Sequence, residues 1–396
     1  LFYEFSKIFC TTGYDIDNNK INSIKKKKNL ALKKTHSKVT SELNDLENCN
    51  FYIITVPTPI TSKNKPDLRN IKNSCRQLSK ILKKNDIVVL ESTVFPGVVE
   101  SICVPILSKK LEYNKDFFCG YSPERINVGD KYNNIKTIPK IVSGSNKYAL
   151  KIIKKIYSLI INTIIPVESI KIAEASKVIE NAQRDINIAF FNELTLIFDK
   201  LGIDSRKVFK AASSKWNFHN YNPGLVGGHC IGVDPYYLSY VAKSNGVNPK
   251  VILSGRNIND KMSNYVYNKI KVQSRLFFNY KRKYNILILG STFKANVDDI
   301  RNSKVFNVID LLIKNNFNVY VYDPMADIKK SNKYIKYFIK KPKQSHYDII
   351  LIAVSHKLFI DIGLNKIRNF AKKKYFIFDL TFKFNNIKNK FYYFSL

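Results

Sequence analysis

Short apolar runs alternate along this chain with longer amphipathic stretches. The runs at 51–56 (FYIITV), 86–90 (DIVVL) and 117–121 (FFCGY) carry almost no polar alternation, which is the pattern of strands covered on both faces. Residues 67–82 and a segment spanning 98–107 lie between them with helical spacing. This βαβ rhythm predicts a parallel, doubly wound sheet. It returns in the last third of the chain, where strands are predicted at 285–290, 318–322, 347–354 and 375–380. Between the two blocks run the longest helical patterns, 169–201, closed by Gly202 as a C-terminal cap, and 249–278. The expected fold class is α/β: two Rossmann-like doubly wound domains joined by a long central helix. The corresponding boundaries are 1–168, 169–275 and 276–396.

The beginning of the chain refines that expectation. Residues 1–9 are apolar at 1, 2, 5, 8 and 9, a helical spacing, and TTGYDID then reads as a short strand ending on Asp15, followed by a polar helix. In dinucleotide-binding folds such an acidic residue follows the glycine fingerprint by about 20 residues. Counting back from Asp15 passes Leu1. The N-terminal domain is therefore expected to lack its first strand and glycine loop in the sequence as given, and truncation is favoured over decay of the gene. The later sheet has no glycine fingerprint either, so a nucleotide there would be held by Lys294 and other polar residues.

Composition narrows the classes. With 396 residues, 45% hydrophobic and 13% aromatic, the chain has ample material for more than one core. No apolar run reaches the length of a transmembrane helix and no signal-peptide pattern opens the chain, so a cytoplasmic protein without membrane partners is expected. The cysteines at 10, 49, 75, 103, 119 and 230 form no CxxC pair, which predicts neither a metal site nor a disulfide framework. Five of them are expected in the core. The net charge of +35 comes from lysines scattered along the whole length, with Lys25–Lys28 the one dense run. That distribution reads as a solvated surface that steers an anionic small molecule, not as a nucleic-acid interface.

Candidate chemistry concentrates at 222–237, NPGLVGGHCIGVDPYY. Gly224, Gly227 and Gly228 clear side chains from a turn that presents Cys230, a candidate nucleophile, with Asp234 four residues on. Taken alone, the string also suits a buried structural cysteine, or a hydrolase pairing Cys230 with His229. On the long helix, Lys177, Asn181 and Arg184 fall at i, i+4 and i+7 on one face, a spacing shared with any solvated polar stripe. Thr58, Thr93 and Glu124 follow predicted strands, where ligands of parallel sheets bind and where helix caps also occur.

Seven strings occur in order: GYDID, TVPTP, EST followed by PG, YSPER, AEASKVIENAQRD, NPGLVGGHCIGVDPYYL and STFKANVDDIRNSK. With them the chain resembles the UDP-glucose/GDP-mannose dehydrogenase family from residue 1 to about 380, and most closely its branch acting on UDP-N-acetylhexosamines for capsular and Vi-type polysaccharides. The resemblance implies NAD as cofactor, a UDP-sugar substrate, and oxidation of the sugar C6 alcohol to a carboxylate. It also implies roles. Lys177 would stabilise the C6 alkoxide while water near Thr93 and Asp234 takes the proton. Cys230 would trap the aldehyde as a thiohemiacetal and then a thioester, Glu124 would act as general base in hydrolysis, and Asn181 with Lys177 would hold the C6 oxygen. Asp15 and Lys20 match the adenosine-ribose site, Thr58, Thr93 and Arg301 match cofactor contacts, and Arg184, Gly227, Gly228 and Lys294 match the substrate side. A homodimer through the 169–201 helix is expected, with Ile186, Ala189, Phe190 and Leu194 as its apolar face. UDP-glucose oxidation is the nearest alternative, and a non-catalytic nucleotide-sugar binder is another.

Overall fold

The computed structural model describes residues 1–26, 35–126, 134–278, 283–328, 333–384 and 393–396. Of the lysine run, Lys27 and Lys28 lie outside the described residues. The chain divides into two compact units, residues 1–180 with 236–245, and residues 181–235 with 246–396.

The first unit opens with the one-turn helix α1 (Phe2–Phe5) and the strand β1 (Thr12–Tyr14), followed by α2 (Asn18–Lys26) and β2 (Lys38–Thr40). β1 and β2 pair in parallel as a two-stranded sheet. A second sheet has the order β3 (Phe51–Ile54), β4 (Ile87–Leu90), β5 (Phe118–Tyr121), β6 (Lys140–Gly144), β7 (Ile164–Pro166). Its pairs are parallel except β5 with β6. Against the doubly wound order 3-2-1-4-5-6, β2 and β1 take positions 3 and 2, and β3, β4 and β5 take positions 4, 5 and 6. Among the described residues no strand pairs with both β1 and β3. Helices α3 (Arg69–Ile81), α4 (Val104–Leu107) and α5 (Lys147–Ser158) accompany the sheet, α4 being entered through a π-helical turn at Val99–Cys103. The predicted helix at 98–107 is thus real but wound unevenly. Gly120 of β5 faces Gly144 of β6, and a Cβ on Gly120 would lie 2.3 Å from the Ile153 side chain of α5. Small residues there let the helix sit directly on the sheet.

The 31-residue α6 (Ile170–Lys200), about 46 Å long at 1.5 Å per residue, begins in the first unit and continues in the second. Next come α7 (Ser205–Ala212), α8 (Asp234–Ser244) and α9 (Lys250–Phe278). The sheet of the second unit is all parallel, ordered β12 (Tyr393–Ser395), β11 (Ala371–Asp379), β10 (Tyr347–Ile352), β8 (Asn285–Leu289), β9 (Asn318–Tyr322). Every residue of the central strand β10 is buried, as its apolar positions require, and the buried Asp348 within it accepts the Asn285 N–H and pairs with Lys372. α10 (Val305–Lys314) and α11 (Lys357–Arg368) contribute to the cores on the sheet's two faces: Val308, Ile309 and Leu312 in one, Phe359 and Ile367 in the other. Each fully buried Ile, Leu or Phe contributes about 1.5–3 kcal/mol. These cores fix the strand ends from which the site loops leave.

Two expectations about side chains are corrected. Cys75, Cys103 and Cys119 are buried, but Cys49 is half-buried and Cys10 is exposed. Cys10 lies in the loop entering β1, where its thiol donates to the His36 carbonyl at 3.5 Å. On α6, Ala189 turns inward against Gly255 of α9, at 3.4 Å from a Cβ built there. The exposed apolar stripe of α6 therefore runs through Ile172, Ile179, Phe190 and Ile197, not through Ala189.

Candidate active site

In the first unit the residues expected around a cofactor sit at strand ends. Asp15 directly follows β1, is half-buried, pairs with the exposed Lys20 and accepts the Asp17 N–H at 3.0 Å. Burial alone would raise its carboxyl, yet the Lys20 ammonium and the Asp17 amide outweigh burial and hold it below the usual aspartate range. An ionised carboxylate at this position suits the vicinal hydroxyls of a ribose, so the donor set fits NAD. Thr58 and Thr93 lie beyond β3 and β4 and are tied together, with Thr58 Oγ1 donating to the Thr93 carbonyl at 2.8 Å. Ser92 Oγ donates to the Val56 carbonyl at 2.6 Å. Tyr237 donates to the Thr58 carbonyl at 2.8 Å. The Thr58 hydroxyl proton is thus committed to the fold.

Glu124 follows β5, half-buried, with Oε1 accepting the Ile126 N–H at 2.6 Å. Its neighbour Arg125 reaches Glu180 of α6 at 2.8 Å and the Pro139 carbonyl at 2.8 Å. Lys177 is buried on the same helix. One turn earlier, Glu174 accepts the N–H groups of Gly97 at 2.5 Å and Val99 at 2.9 Å, tying the segment that carries Thr93 to the helix that carries Lys177. Burial pushes the Glu174 carboxyl up to about 7, against the pull of those two amides. Glu91, at the end of β4, is also buried, with Lys140 at 3.0 Å and Tyr157 donating to it. Sequence reasoning did not single out either glutamate. Glu174 could have been noticed as a carboxylate three residues before Lys177, on the same face of the long helix.

In the second unit Cys230 is exposed, in a run of turns leading into α8. Its carbonyl accepts the N–H groups of Val233 at 3.0 Å and Asp234 at 2.9 Å. Asp234, the first residue of α8, is buried and accepts from Asn181 Nδ2 at 2.6 Å. A Cβ on Gly227 would lie 2.5 Å from the Asn302 carbonyl oxygen, and one on Gly228, at φ +85°, 2.7 Å from the Phe293 ring. Backbone of 302–304 approaches Gly227 and the Phe293 ring approaches Gly228, so neither position has room for a side chain. His229 is exposed, with Nδ1 at 3.4 Å from Asn302 and Nε2 at 3.8 Å from Asp299. Its ring is occupied with the 299–302 loop, which removes the basis for a Cys230–His229 hydrolase pair. Arg184, expected to share a face with Lys177 and Asn181, is exposed while those two are buried.

Lys294 and Arg301 lie in the loop that leaves β8. Arg301 is exposed and grips Asp299 through two hydrogen bonds of 2.9 and 2.7 Å. The loop is shaped from beneath by Asp323, which ends β9. One carboxylate oxygen accepts the Ser291 N–H at 2.6 Å, the Ser291 hydroxyl at 3.0 Å and the Thr292 N–H at 3.2 Å. The other accepts Met325 and Ala326 N–H groups at 3.0 and 3.2 Å and lies 3.2 Å from the ring of buried His356. That carboxylate has no capacity left for a ribose.

The comparisons with known proteins agree with this division of labour. Residues 6–161 match the NAD binding domain of the UDP-glucose/GDP-mannose dehydrogenase family, 171–261 its central domain and 287–386 its UDP binding domain. The chain is 44% identical over 392 residues to UDP-N-acetyl-D-glucosamine 6-dehydrogenase of Salmonella typhi, covering 96% of this chain and 92% of that one. It is 42% identical over 401 residues to the Pseudomonas aeruginosa protein of the same name, covering 98% and 94%. Among solved structures, a UDP-D-ManNAc dehydrogenase from Pyrococcus horikoshii superposes with a TM-score of 0.86 at 24% identity, covering 100% of this chain and 95% of that one, a likeness of fold.

Proposed function

Since the chain belongs to the UDP-glucose/GDP-mannose dehydrogenase family, we propose that it oxidises the C6 alcohol of a UDP-N-acetylhexosamine, UDP-N-acetylglucosamine above all, to the carboxylate. The substrate assignment is supported by the names of two relatives at 44% and 42% identity, and the uronic acid formed suits a precursor of surface polysaccharide. Bound NAD supplies the hydride acceptor for each of the two oxidations. The protein's own groups handle protons, charge and the aldehyde.

In the first oxidation the C6 hydroxyl gives its proton to water held by Thr93 and Asp234, and the Lys177 ammonium stabilises the oxyanion that develops. Asn181, whose amide is already fixed by Asp234, holds the same oxygen. In the second, the Cys230 thiol adds to the aldehyde carbon and its proton passes to the carbonyl oxygen. Loss of the C6 hydride and of that hydroxyl proton then leaves a thioester. Glu124 takes a proton from the water that attacks the thioester carbon, and the Cys230 thiolate departs. Covalent capture prevents loss of the aldehyde between steps.

The observation that carries this reading is an exposed Cys230 in a glycine-cleared turn, followed at once by a buried Asp234 bonded to Asn181. Cys230→Ser is expected to stop at or before the aldehyde, with at most one NADH per sugar. Two NADH per sugar from that variant would overturn the role. Comparison of kcat/KM for UDP-N-acetylglucosamine, UDP-N-acetylgalactosamine and UDP-glucose tests the substrate, the first being expected to lead. The exposed stripe on α6 supports a homodimer, which light scattering at micromolar concentration checks.

A further inference from the structure

We propose that Asn192 is a positioning residue for the Cys230 nucleophile, anchoring the glycine loop through Gly224 and anchored in turn by a buried chain of Asn259, Asp185 and Arg256. The inference rests on the reading of Cys230 above. Asn192, on α6, is fully buried, and its amide binds both polar groups of one residue: Oδ1 accepts the Gly224 N–H at 2.8 Å and Nδ2 donates to the Gly224 carbonyl at 3.1 Å. The second Nδ2 proton goes to Asn259 Oδ1 at 2.8 Å. Every donor of the amide is used, and a flipped amide would set its NH2 against the Gly224 N–H. The side chain therefore holds Gly224 in one orientation.

Its support continues through buried side chains on α6 and α9. Asn259 donates to the Asp185 carbonyl and carboxylate at 2.9 and 2.7 Å. Arg256 binds Asp185 at 2.5 Å and Asp260 at 2.7 Å. Asp260 also accepts from Lys304 at 2.8 Å. Two residues before Lys304, the Asn302 carbonyl accepts the Gly228 N–H at 3.2 Å. The segment from Gly224 to Gly228, which ends two residues before Cys230, is thus closed into a ring of hydrogen bonds running through α6, α9 and the loop after β8. Buried polar clusters are often no more stabilising than apolar side chains of the same volume, whereas a nucleophile displaced by about 1 Å can lose on the order of a hundredfold in rate. Geometry is what this ring supplies.

The test compares the unsubstituted chain, Cys230→Ser, Asn192→Ala and the milder Asn192→Ser, each by thermal unfolding, steady-state kinetics, NADH formed per sugar, and alkylation of Cys230 by iodoacetamide read by peptide mass spectrometry. The Asn192 variants are expected to stay folded, keep KM for the UDP-sugar within about twofold, lose about thirtyfold or more in kcat, form fewer than two NADH per sugar, and alkylate Cys230 at a rate several-fold changed. Unaltered stoichiometry and alkylation would overturn the proposal, and so would failure of both Asn192 variants to fold, which would leave the ring a purely structural role. If Cys230→Ser still forms two NADH per sugar, the nucleophile reading fails, and alkylation in the Asn192 variants still reports whether the loop is positioned.

Discussion

Asp15 at the end of β1 and Asp323 at the end of β9 hold matching places in their two sheets, yet their surroundings are opposite. Asp15 is half-exposed, with an exposed lysine and one amide as partners. Asp323 is buried and accepts from three backbone amides at the two oxygens' near neighbours, a fourth at Thr292, the Ser291 hydroxyl, and the edge of His356. The same residue type at the same winding position is left accessible in one sheet and is committed to the protein in the other. In the second sheet, which matches a UDP binding domain, the proposed nucleotide contact is therefore Lys294 of the loop after β8, not the aspartate.

The largest effect expected from this contrast is on stability. Asp323→Ala leaves several buried donors without acceptors, at about 1–3 kcal/mol each before relaxation, so a net loss of about 4 kcal/mol is expected in urea unfolding. The same variant should lose UDP-sugar affinity through the slackened loop. A loss below about 1 kcal/mol would show that Asp323 is no more committed than Asp15.

Much of the fold that creates this contrast was legible in advance, for physical reasons that can be named. β10 and α6 stood out because one is apolar except for Asp348 and the other keeps a helical spacing over 31 residues. β6 and β7 did not, because they are short and one opens on Lys140, a lysine that is buried only by virtue of Glu91. α11 is interrupted at Gly363, with φ +74°, which breaks its period. At the site, Cys230, Gly227 and Gly228 were visible as a local string. The burial that separates Arg184 from Lys177 and Asn181, the grip of Asn192 on Gly224 and the commitment of Asp323 are long-range contacts, and no local period encodes them.

Glu174 sharpens the comparison from within the first unit, because like Asp323 it is buried and accepts from backbone amides, two against four, but its carboxyl is raised to about 7 where that of Asp323 is lowered. Burial dominates at Glu174, with Glu100 adding to it. At Asp323 burial is outweighed by His356 and the backbone amides. A carboxyl raised in the folded state favours folding fully below the unfolded value near 4.5 and loses that contribution as pH rises through about 7. The difference amounts to about 3 kcal/mol at 1.36 kcal/mol per pH unit. Relative to Glu174→Gln, the unsubstituted chain should therefore lose stability between about pH 4.5 and pH 7. Unfolding curves of both proteins that run parallel across that window would show that the carboxyl does not titrate there.

The smallest effect belongs to Asp15, and it separates binding from folding most cleanly. Asp15→Ala removes a half-exposed carboxylate whose ion partner Lys20 remains solvated, so a change in unfolding free energy within about 0.5 kcal/mol is expected. The NAD affinity should fall about tenfold, equivalent to about 1.4 kcal/mol, because an ionised acceptor for the ribose hydroxyls is lost while KM for the UDP-sugar stays level. The change should be read by titration with NAD and by urea unfolding of the same preparation. If the variant unfolds as easily as Asp323→Ala, the two aspartates are both parts of the scaffold. If it binds NAD as tightly as the unsubstituted chain, Asp15 does not contact the ribose, and the acceptor for those hydroxyls must be sought elsewhere along the strand ends.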